Sequence, residues 1–537
     1  MYQKILSVGM ILLAYLFINI PTLHDGLFHV YDNVQVTRIE AMYRELGSGQ
    51  FPVRYIDSFG HGAGYFLFKY YSPLLYYLGS VFMLLGFSAI KAVKLIYLIM
   101  SALGAIGCYK WIRNQTKHDY SATIGTLAFV TAPYVYHDFF HRGSMTEAGA
   151  MMLIPWAMWA YSKITQNPST RNVGVAAVIL GSLILTHTLT GVMTAGLLIL
   201  YLAIGLPKSE IVRKYILSML LALGLTAFSL APAIFEKHYI QYENNSLLTR
   251  GYIDHPVALL AQLTNQGAGE EKSAYLGITL ISVYIVLLIL TVGSPKFREK
   301  HGNQALFILI AATTGLYLIT PSSAWIWERV IYLRYFQFPF RLLTVVSVVL
   351  CLGLSVVSAY YRSFKIVMIL LTVLVIAPLF YGRSYYRPLG YQYGTTYSVD
   401  DPCRTTTWAD EYLSKWTTQC LLSPLPSLVS TVSGSVVVSD IQVQANGRKI
   451  SFKTTGVGEV QVAKYYTPEW IARDNTGAKL LTTPFSDHGL IKVVIGRHED
   501  RVQIEMLPST ASRWGDLISI ISVVICAVAV RQKRSEN

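Results

Sequence analysis

Residues 72–87 read SPLLYYLGSVFMLLGF, and the fold turns on whether this run crosses a membrane or lies along its surface. Apolar runs near the length a bilayer requires, about 20 residues, recur on both sides of it, each bounded by charge, Pro or Gly. With 53% hydrophobic and 14% charged residues and a mean hydropathy of +0.42, the chain is no ordinary soluble globule. Setting 72–87 aside, twelve spans are expected, roughly at 5–22, 92–109, 121–138, 148–163, 173–187, 188–206, 215–232, 275–293, 305–320, 341–360, 365–381 and 514–530. The first lacks a small-residue cleavage site, so it reads as a retained helix.

Loop charge decides the ambiguous run. With 72–87 left out and the N-terminus inside, one face collects Lys4, Lys110, Arg113, Lys117, Lys163, Arg171, Lys208, Arg213, Lys214, Lys296, Arg298, Lys300, Arg362, Lys365, Arg531, Lys533 and Arg534. Counting 72–87 as a span sends all of these except Lys4 to the outside, against the rule that positive loops stay in the cytoplasm. The twelve-helix arrangement follows, with both termini cytoplasmic, 72–87 at the interface, and Lys91 and Lys94 as a minor exception. The net charge of +14 is then a topology signal and not a nucleic-acid footprint.

The exterior consists of 23–91, HRGSMTE at 141–147, 233–274, 321–341 and 382–513. Spans almost free of ionisable groups, with polar residues gathered outside, favour chemistry at the outer surface over a midplane transport site. Residues 434–506 alternate apolar and polar between Gly, Asn and Asp turns, which predicts an antiparallel β-sandwich acting as a lid or binding module. The expected divisions are 1–382 for the membrane part, 383–513 for the β-domain, and 514–537 for a last helix with a basic tail. Cys108, Cys351 and Cys526 lie in or beside spans. Cys403 and Cys420 are both exterior and are the disulfide candidates in an oxidising compartment. No His/Cys spacing resembles a zinc site.

The first exterior loop carries VYDNVQVTRIEAMYRELGSGQFP, 30–52. Val36, Ile39, Met42, Tyr43 and Leu46 form a helical stripe, so a helix is expected from Asp32 to about Leu46. Asp32, Gln35 and Arg38 step along one side of it. Asp32 is either its N-cap or a reactive carboxylate.

In order, YDNVQVTRIEAMYRELGSGQFPVRY (31–55), GHGAGYFLFKYYSPLLYYLGSVFMLLGF (60–87), HRGSMTEAGAMMLIPW (141–156), LTHTLTGVM (185–193), RYFQFPFRLL (334–343) and TTTWADEYLSKW (405–416) resemble one family. It is the bacterial subgroup of GT-C membrane glycosyltransferases labelled "6-pyruvoyl-tetrahydropterin synthase-related" membrane proteins, whose β-domain is shared with YfhO-like proteins. The resemblance implies an all-α polytopic membrane fold with an exterior antiparallel β-domain. It also places the P-L-x-Y-Y helix at the interface, in agreement with the charge pattern.

The activity it implies is sugar transfer from a polyprenyl-phosphate donor to a glycan, lipid or protein acceptor at the outer face of the plasma (inner) membrane. The family's acid maps to Asp32, with Asp25 as competitor. A carboxylate accepts the acceptor's proton, and fixed cations meet the leaving phosphate. Lys69, Arg341 and Arg142 are the phosphate-binding candidates. Gln35, Arg38, Glu147 and His187 are the substrate-binding candidates, although Arg142 with Glu147 also reads as an ion pair fixing its loop, and His187 as a helix-end histidine. The family leaves a divalent metal, Mg or Mn, open. The rival readings are a lipid or polysaccharide transporter and a non-catalytic scaffold.

Overall fold

The computed structural model describes residues 2–242, 275–381, 387–392, 401–407, 409–496 and 499–532. Parts of the expected loops 233–274 and 382–513, the boundary at 382/383, and the tail cations Lys533 and Arg534 lie outside the described residues. The helices are α1 Tyr2–Ile18, α2 Gln35–Gly47, α3 Leu67–Tyr70, α4 Leu74–Leu84, α5 Ala89–Thr116, α6 Asp119–Val130, α7 Pro133–His137, α8 Met145–Gln166, α9 Thr170–Thr186, α10 Thr188–Gly205 and α11 Ser209–Phe235. They continue as α12 Gly277–Gly293, α13 Pro295–Leu318, α14 Ala324–Arg329, α15 Leu343–Tyr360, α16 Lys365–Tyr381 and α17 Thr510–Arg531.

By length and composition, Ala89–Thr116, Thr188–Gly205, Ser209–Phe235, Pro339–Tyr360 and Thr510–Arg531 can each cross a membrane. Pro295–Leu318 and Pro321–Arg329 form a pair bent by 92°, which makes a sixth if taken as one span. Ile5–Ile18, Leu74–Leu84, Thr170–Thr186, Gly277–Gly293 and Lys365–Ala377 are shorter apolar helices. Residues 74–84 are therefore helical but, at about 1.5 Å per residue, well short of a bilayer's hydrocarbon core. Helix α4 instead packs on α2, where a Cβ on Gly79 would come within 2.7 Å of Ile39.

The expected span at 121–138 is broken. Helix α6 stops at Val130, and the chain restarts at Pro133, whose missing N–H suits a first helical turn and not a helix interior. Helix α7 runs into a π-helical turn, Asp138–Arg142, which ends at Gly143 with φ +74°. A Cβ there would sit 2.4 Å from Val30, so the close approach of the two loops requires glycine. The break lifts Asp138 and Arg142 out of a regular helix and aims them at α8.

β1 (Leu27–Phe28) pairs antiparallel with β2 (Tyr391–Gln392), and the C-terminal region holds two further antiparallel sheets. β3 (Val429–Gly434), β6 (Gly458–Tyr465), β10 (Leu490–Ile495) and β9 (Thr482–Phe485) form one, in that order. β4 (Val437–Gln444), β5 (Lys449–Thr455), β11 (Glu499–Met506), β7 (Trp470–Arg473) and β8 (Lys479–Leu480) form the other. Register places Val493 opposite Val460 and Val502 opposite Phe452. Alternation along each strand sends these apolar residues to one shared core. Tyr55 and Phe66 of the first loop enter that core beside Trp470. The sandwich is thus clamped to the loop. Lys464 pairs with Asp57 at 2.5 Å, Asn446 donates to Glu45 at 2.7 Å, and Arg54 pairs with Asp516 of α17 at 2.5 Å.

Candidate functional site

Five chain segments meet where the first loop touches the α7–α8 junction. Tyr31 N–H donates to His141 O at 3.1 Å and Asp32 N–H to Arg142 O at 2.7 Å. This backbone pairing ties residues 31 and 32 to the neighbouring loop, and α2 begins at Gln35. The residue capping α2 is Val34, with no side-chain cap bond. Asp32 is therefore not the N-cap, and the expected start of the helix moves three residues along. Among the described residues its carboxylate makes no hydrogen bond or ion pair, yet its charge strengthens proton binding by Arg142.

Glu147, in the first turn of α8, is the hub. Its Oε2 accepts from Arg142 Nη1 at 2.6 Å and lies 3.1 Å from Arg341 Nε. Tyr134 Oη donates to its Oε1 at 3.3 Å. Arg142 Nη1 also donates to Asp138 Oδ1 at 3.2 Å, and its guanidinium stands 5.4 Å from the ring of Phe340. Arg341 Nη1 donates to Phe336 O and to Gln337 Oε1, both at 3.0 Å. All four charged side chains are buried, which is tolerable only because they pair. The arginines still keep donors in hand: among the described residues, neither Nη2 has a hydrogen bond.

His187 caps α10. Its Nδ1 accepts from Thr190 N–H at 3.4 Å and lies 2.8 Å from Thr190 Oγ1. That makes Nδ1 the acceptor nitrogen, so the neutral ring carries its proton on Nε2. Glu147, Arg341 and Arg142 are its charged neighbours. The structure therefore brings together Asp32, Arg142, Glu147, Arg341 and His187.

Four other candidates sit elsewhere or are already engaged. Asp25 is exposed, and its carbonyl accepts from Lys94 Nζ at 3.3 Å. Lys69 is buried between Glu469, at 2.7 Å, and Glu236. It bridges the first loop, the end of α11 and the β-sandwich; its charge is matched twice, which corrects the expectation of a free phosphate-binding cation. Arg38 donates to Thr406 Oγ1 at 3.1 Å, to Thr406 O and to Tyr76 Oη at 3.3 Å, and so fastens the C-terminal region to α2. Gln35 is likewise spent: its Nε2 donates to Gly143 O at 3.0 Å, and its Oε1 accepts from Tyr76 at 2.8 Å.

Sequence reasoning missed Asp138, Tyr134 and Gln337. Asp138 looked like the end of an apolar span. Gln337 sits at φ +62°, an uncommon conformation that marks the turn holding Arg341. Cys403 and Cys420 are joined in a disulfide, with Cα atoms 5.6 Å apart. Among the described residues, the one trio of metal-type ligand atoms within 4.8 Å of one another is Cys403, Asp410 and Cys420, and there the two sulfurs are bonded to each other. Among the described residues, the side chains at Asp32 form no such three-ligand set.

Several apolar helices, a buried charge cluster at their ends and a clamped β-sandwich define a multi-pass membrane protein. Residues 68–385 match the family described as 6-pyruvoyl-tetrahydropterin synthase related domain, membrane protein, and the chain belongs to that family. A protein of Lactococcus lactis subsp. cremoris (strain MG1363), described as "Uncharacterized protein", is 23% identical over 321 residues, 56% of this chain and 52% of its own length. The match thus spans about half of that relative.

Among solved structures, the arabinofuranosyltransferase AftD from Mycobacteria is similar at TM-score 0.45 and 15% identity, over 71% of this chain and 27% of that one. The apo oligosaccharyltransferase of Archaeoglobus fulgidus is similar at TM-score 0.48 and 12% identity, over 72% and 56%. ArnT from Cupriavidus metallidurans, bound to undecaprenyl phosphate, is similar at TM-score 0.42 and 16% identity, over 70% and 64%. Less than two thirds of each of these proteins is covered.

Proposed function

We propose that the chain is a glycosyltransferase that moves a sugar from a polyprenyl-phosphate carrier to an acceptor at the outer face of the plasma membrane. The observation that carries this reading is the pair of buried guanidiniums, Arg142 and Arg341, converging on Glu147, with their Nη2 donors and the nearby Asp32 carboxylate unpaired among the described residues. Asp32 accepts the proton of the acceptor hydroxyl as its oxygen attacks the anomeric carbon. The bond from that carbon to the phosphate oxygen breaks, and its electron pair leaves with the carrier phosphate. The two Nη2 groups meet the charge developing there. A single displacement of this kind inverts the anomeric centre. His187 Nε2–H orients the donor from the same side, while Glu147 holds the two arginines that meet it.

Every group in the cluster stands at a helix end or turn, which supports surface chemistry over a transport site at mid-helix. The reading keeps the twelve-span topology with both termini inside and residues 383–513 outside. The test is Asp32→Asn in cells lacking the gene, scored by glycan analysis, alongside transfer from a polyprenyl-phosphate sugar in proteoliposomes. Removing a general base should slow transfer by about 10²–10⁴-fold with folding intact. Complete restoration of the glycan by Asp32→Asn would remove Asp32 from the mechanism.

A further inference from the structure

The loop closed by Cys403–Cys420 forms one wall of a cavity of about 660 Å³. Asp410, Gln419 and His488 line it with Leu413, Leu421 and Gln241, whose Nε2 donates to Ser414 O and Thr417 O and leaves Oε1 as its acceptor. Ligand pockets generally span about 300–1,000 Å³, so this one has room for several linked sugar rings.

Asp410 is its distinctive group. Thr405 Oγ1 donates to Asp410 Oδ1 at 2.5 Å, while among the described residues no cation stands within ion-pair reach. Burial pushes its carboxyl above the usual range. The backbone is bent to present it: Arg404, Thr406 and Asp410 have φ of +51°, +65° and +51°, conformations that cost energy for non-glycine residues and gather at functional sites. The Asp401 carboxylate holds this turn through the N–H groups of Cys403 at 2.9 Å and Thr406 at 2.8 Å, and through that of Thr405.

A tyrosine stack runs from the cavity wall toward Arg341. Gln241 N–H donates to Leu413 O at 3.0 Å, which registers two neighbouring tyrosines. Tyr242 stacks on Tyr412 (6.0 Å, 12°) and on Tyr335 (5.8 Å, 11°), and Tyr412 stacks on Tyr70 (5.7 Å, 23°). Arg341 acts electrostatically on Tyr242, so this tyrosine stack lies within charge reach of Arg341.

Resting on the transfer reading, we infer that this cup binds the non-reacting sugars of a neutral glycan acceptor. Amides and a carboxylate accept and donate to sugar hydroxyls, and leucines meet the C–H faces. The uncompensated carboxylate disfavours acidic glycans. The test titrates the purified full-length protein with maltotriose, mannotriose, chitotriose and trigalacturonic acid, with thermal melting as the folding control. At least one neutral trisaccharide should bind saturably and about tenfold more tightly than trigalacturonate. Asp410→Asn, which tolerates the left-handed backbone, should weaken the neutral ligand about tenfold and narrow that preference. Thr418→Trp, placed at the mouth, should abolish binding.

The inference is overturned if no neutral trisaccharide binds, if trigalacturonate binds as tightly, or if both variants bind like the wild type. Because binding is read without turnover, its failure is separable from failure of the transfer reading, which Asp32→Asn tests on its own.

Discussion

Replacing Glu147 with Gln keeps the shape of the hub and removes the one charge shared by two guanidiniums. Glu147 Oε2 lies 2.6 Å from Arg142 Nη1 and 3.1 Å from Arg341 Nε, with the carboxylate side chain wholly inaccessible. Removing one partner from a buried ion pair costs about 3–5 kcal/mol, because the remaining charge is left without compensation. Arg142 keeps Asp138 at 3.2 Å, so most of the loss falls on Arg341, which keeps only the neutral oxygens of Phe336 and Gln337. The lower end, about 3 kcal/mol, is therefore expected.

A multi-segment membrane protein has no single well-defined unfolding free energy, so the assay is a comparison of melting midpoints in detergent. Glu147→Gln should melt below the wild type. Inorganic phosphate should raise the variant's midpoint more than the wild type's; at a hundredfold excess over the variant's Kd, linked binding stabilises the variant by about 2.7 kcal/mol. Adding Arg341→Gln should recover part of the loss, since replacing both partners costs less than orphaning one. Wild-type melting of Glu147→Gln, or a double variant that loses the sum of the two single losses, would refute the coupled-cluster argument.

Lys69→Met should destabilise by about 3–5 kcal/mol, because Glu236 and Glu469 lose their shared cation; the measurement is the melting midpoint, and an unchanged donor KM in the surviving protein separates this role from phosphate binding. Cys403→Ser should cost about 3 kcal/mol by freeing a loop of this length in the unfolded chain. Limited proteolysis should then cut within 403–420, and sensitivity to reductant should be confined to the wild type. Phe66→Ala should cost about 3–5 kcal/mol by opening the sandwich core, seen as faster hydrogen exchange in strands β5 and β11.

The apolar runs were legible because a bilayer demands length and apolarity, which a sequence displays directly. The β-sandwich was legible because period-two alternation survives in strands such as Lys449–Thr455. What the sequence hid was pairing over distance. Lys69 looked like a free cation because Glu469 is 400 positions away, and Arg38 looked available because Thr406 is 368 away. Asp138 was hidden differently: Pro133 interrupts the apolar run without lowering its hydropathy, so the broken helix read as continuous. The helix start at Asp32 was misplaced because helical spacing in the sequence cannot register a backbone bond to Arg142.

The charge balance of the cluster bears on how a transferase of this design would release its carrier. Arg142 and Arg341 are opposed by Glu147 and Asp138, with Asp32 close by, so the resting site is not a bare cationic trap. A fully exposed pair of arginines would hold carrier phosphate before and after transfer alike, and such uniform binding lowers KM without raising kcat. Here, among the described residues, the Nη2 groups are left over, while Glu147 and Asp138 engage Arg142 Nη1, and Arg341 has Glu147 beside its Nε and Phe336 O and Gln337 Oε1 on its Nη1. A phosphate that gains charge as its bond to the sugar breaks draws more from those fixed donors than one still esterified. On the proposed transfer reading, the internal carboxylates set the arginines to respond to the change in charge more than to the charge itself. Neutralising Glu147 should tighten binding of free polyprenyl phosphate while slowing turnover, and weaker binding of the carrier by Glu147→Gln would count directly against this balance.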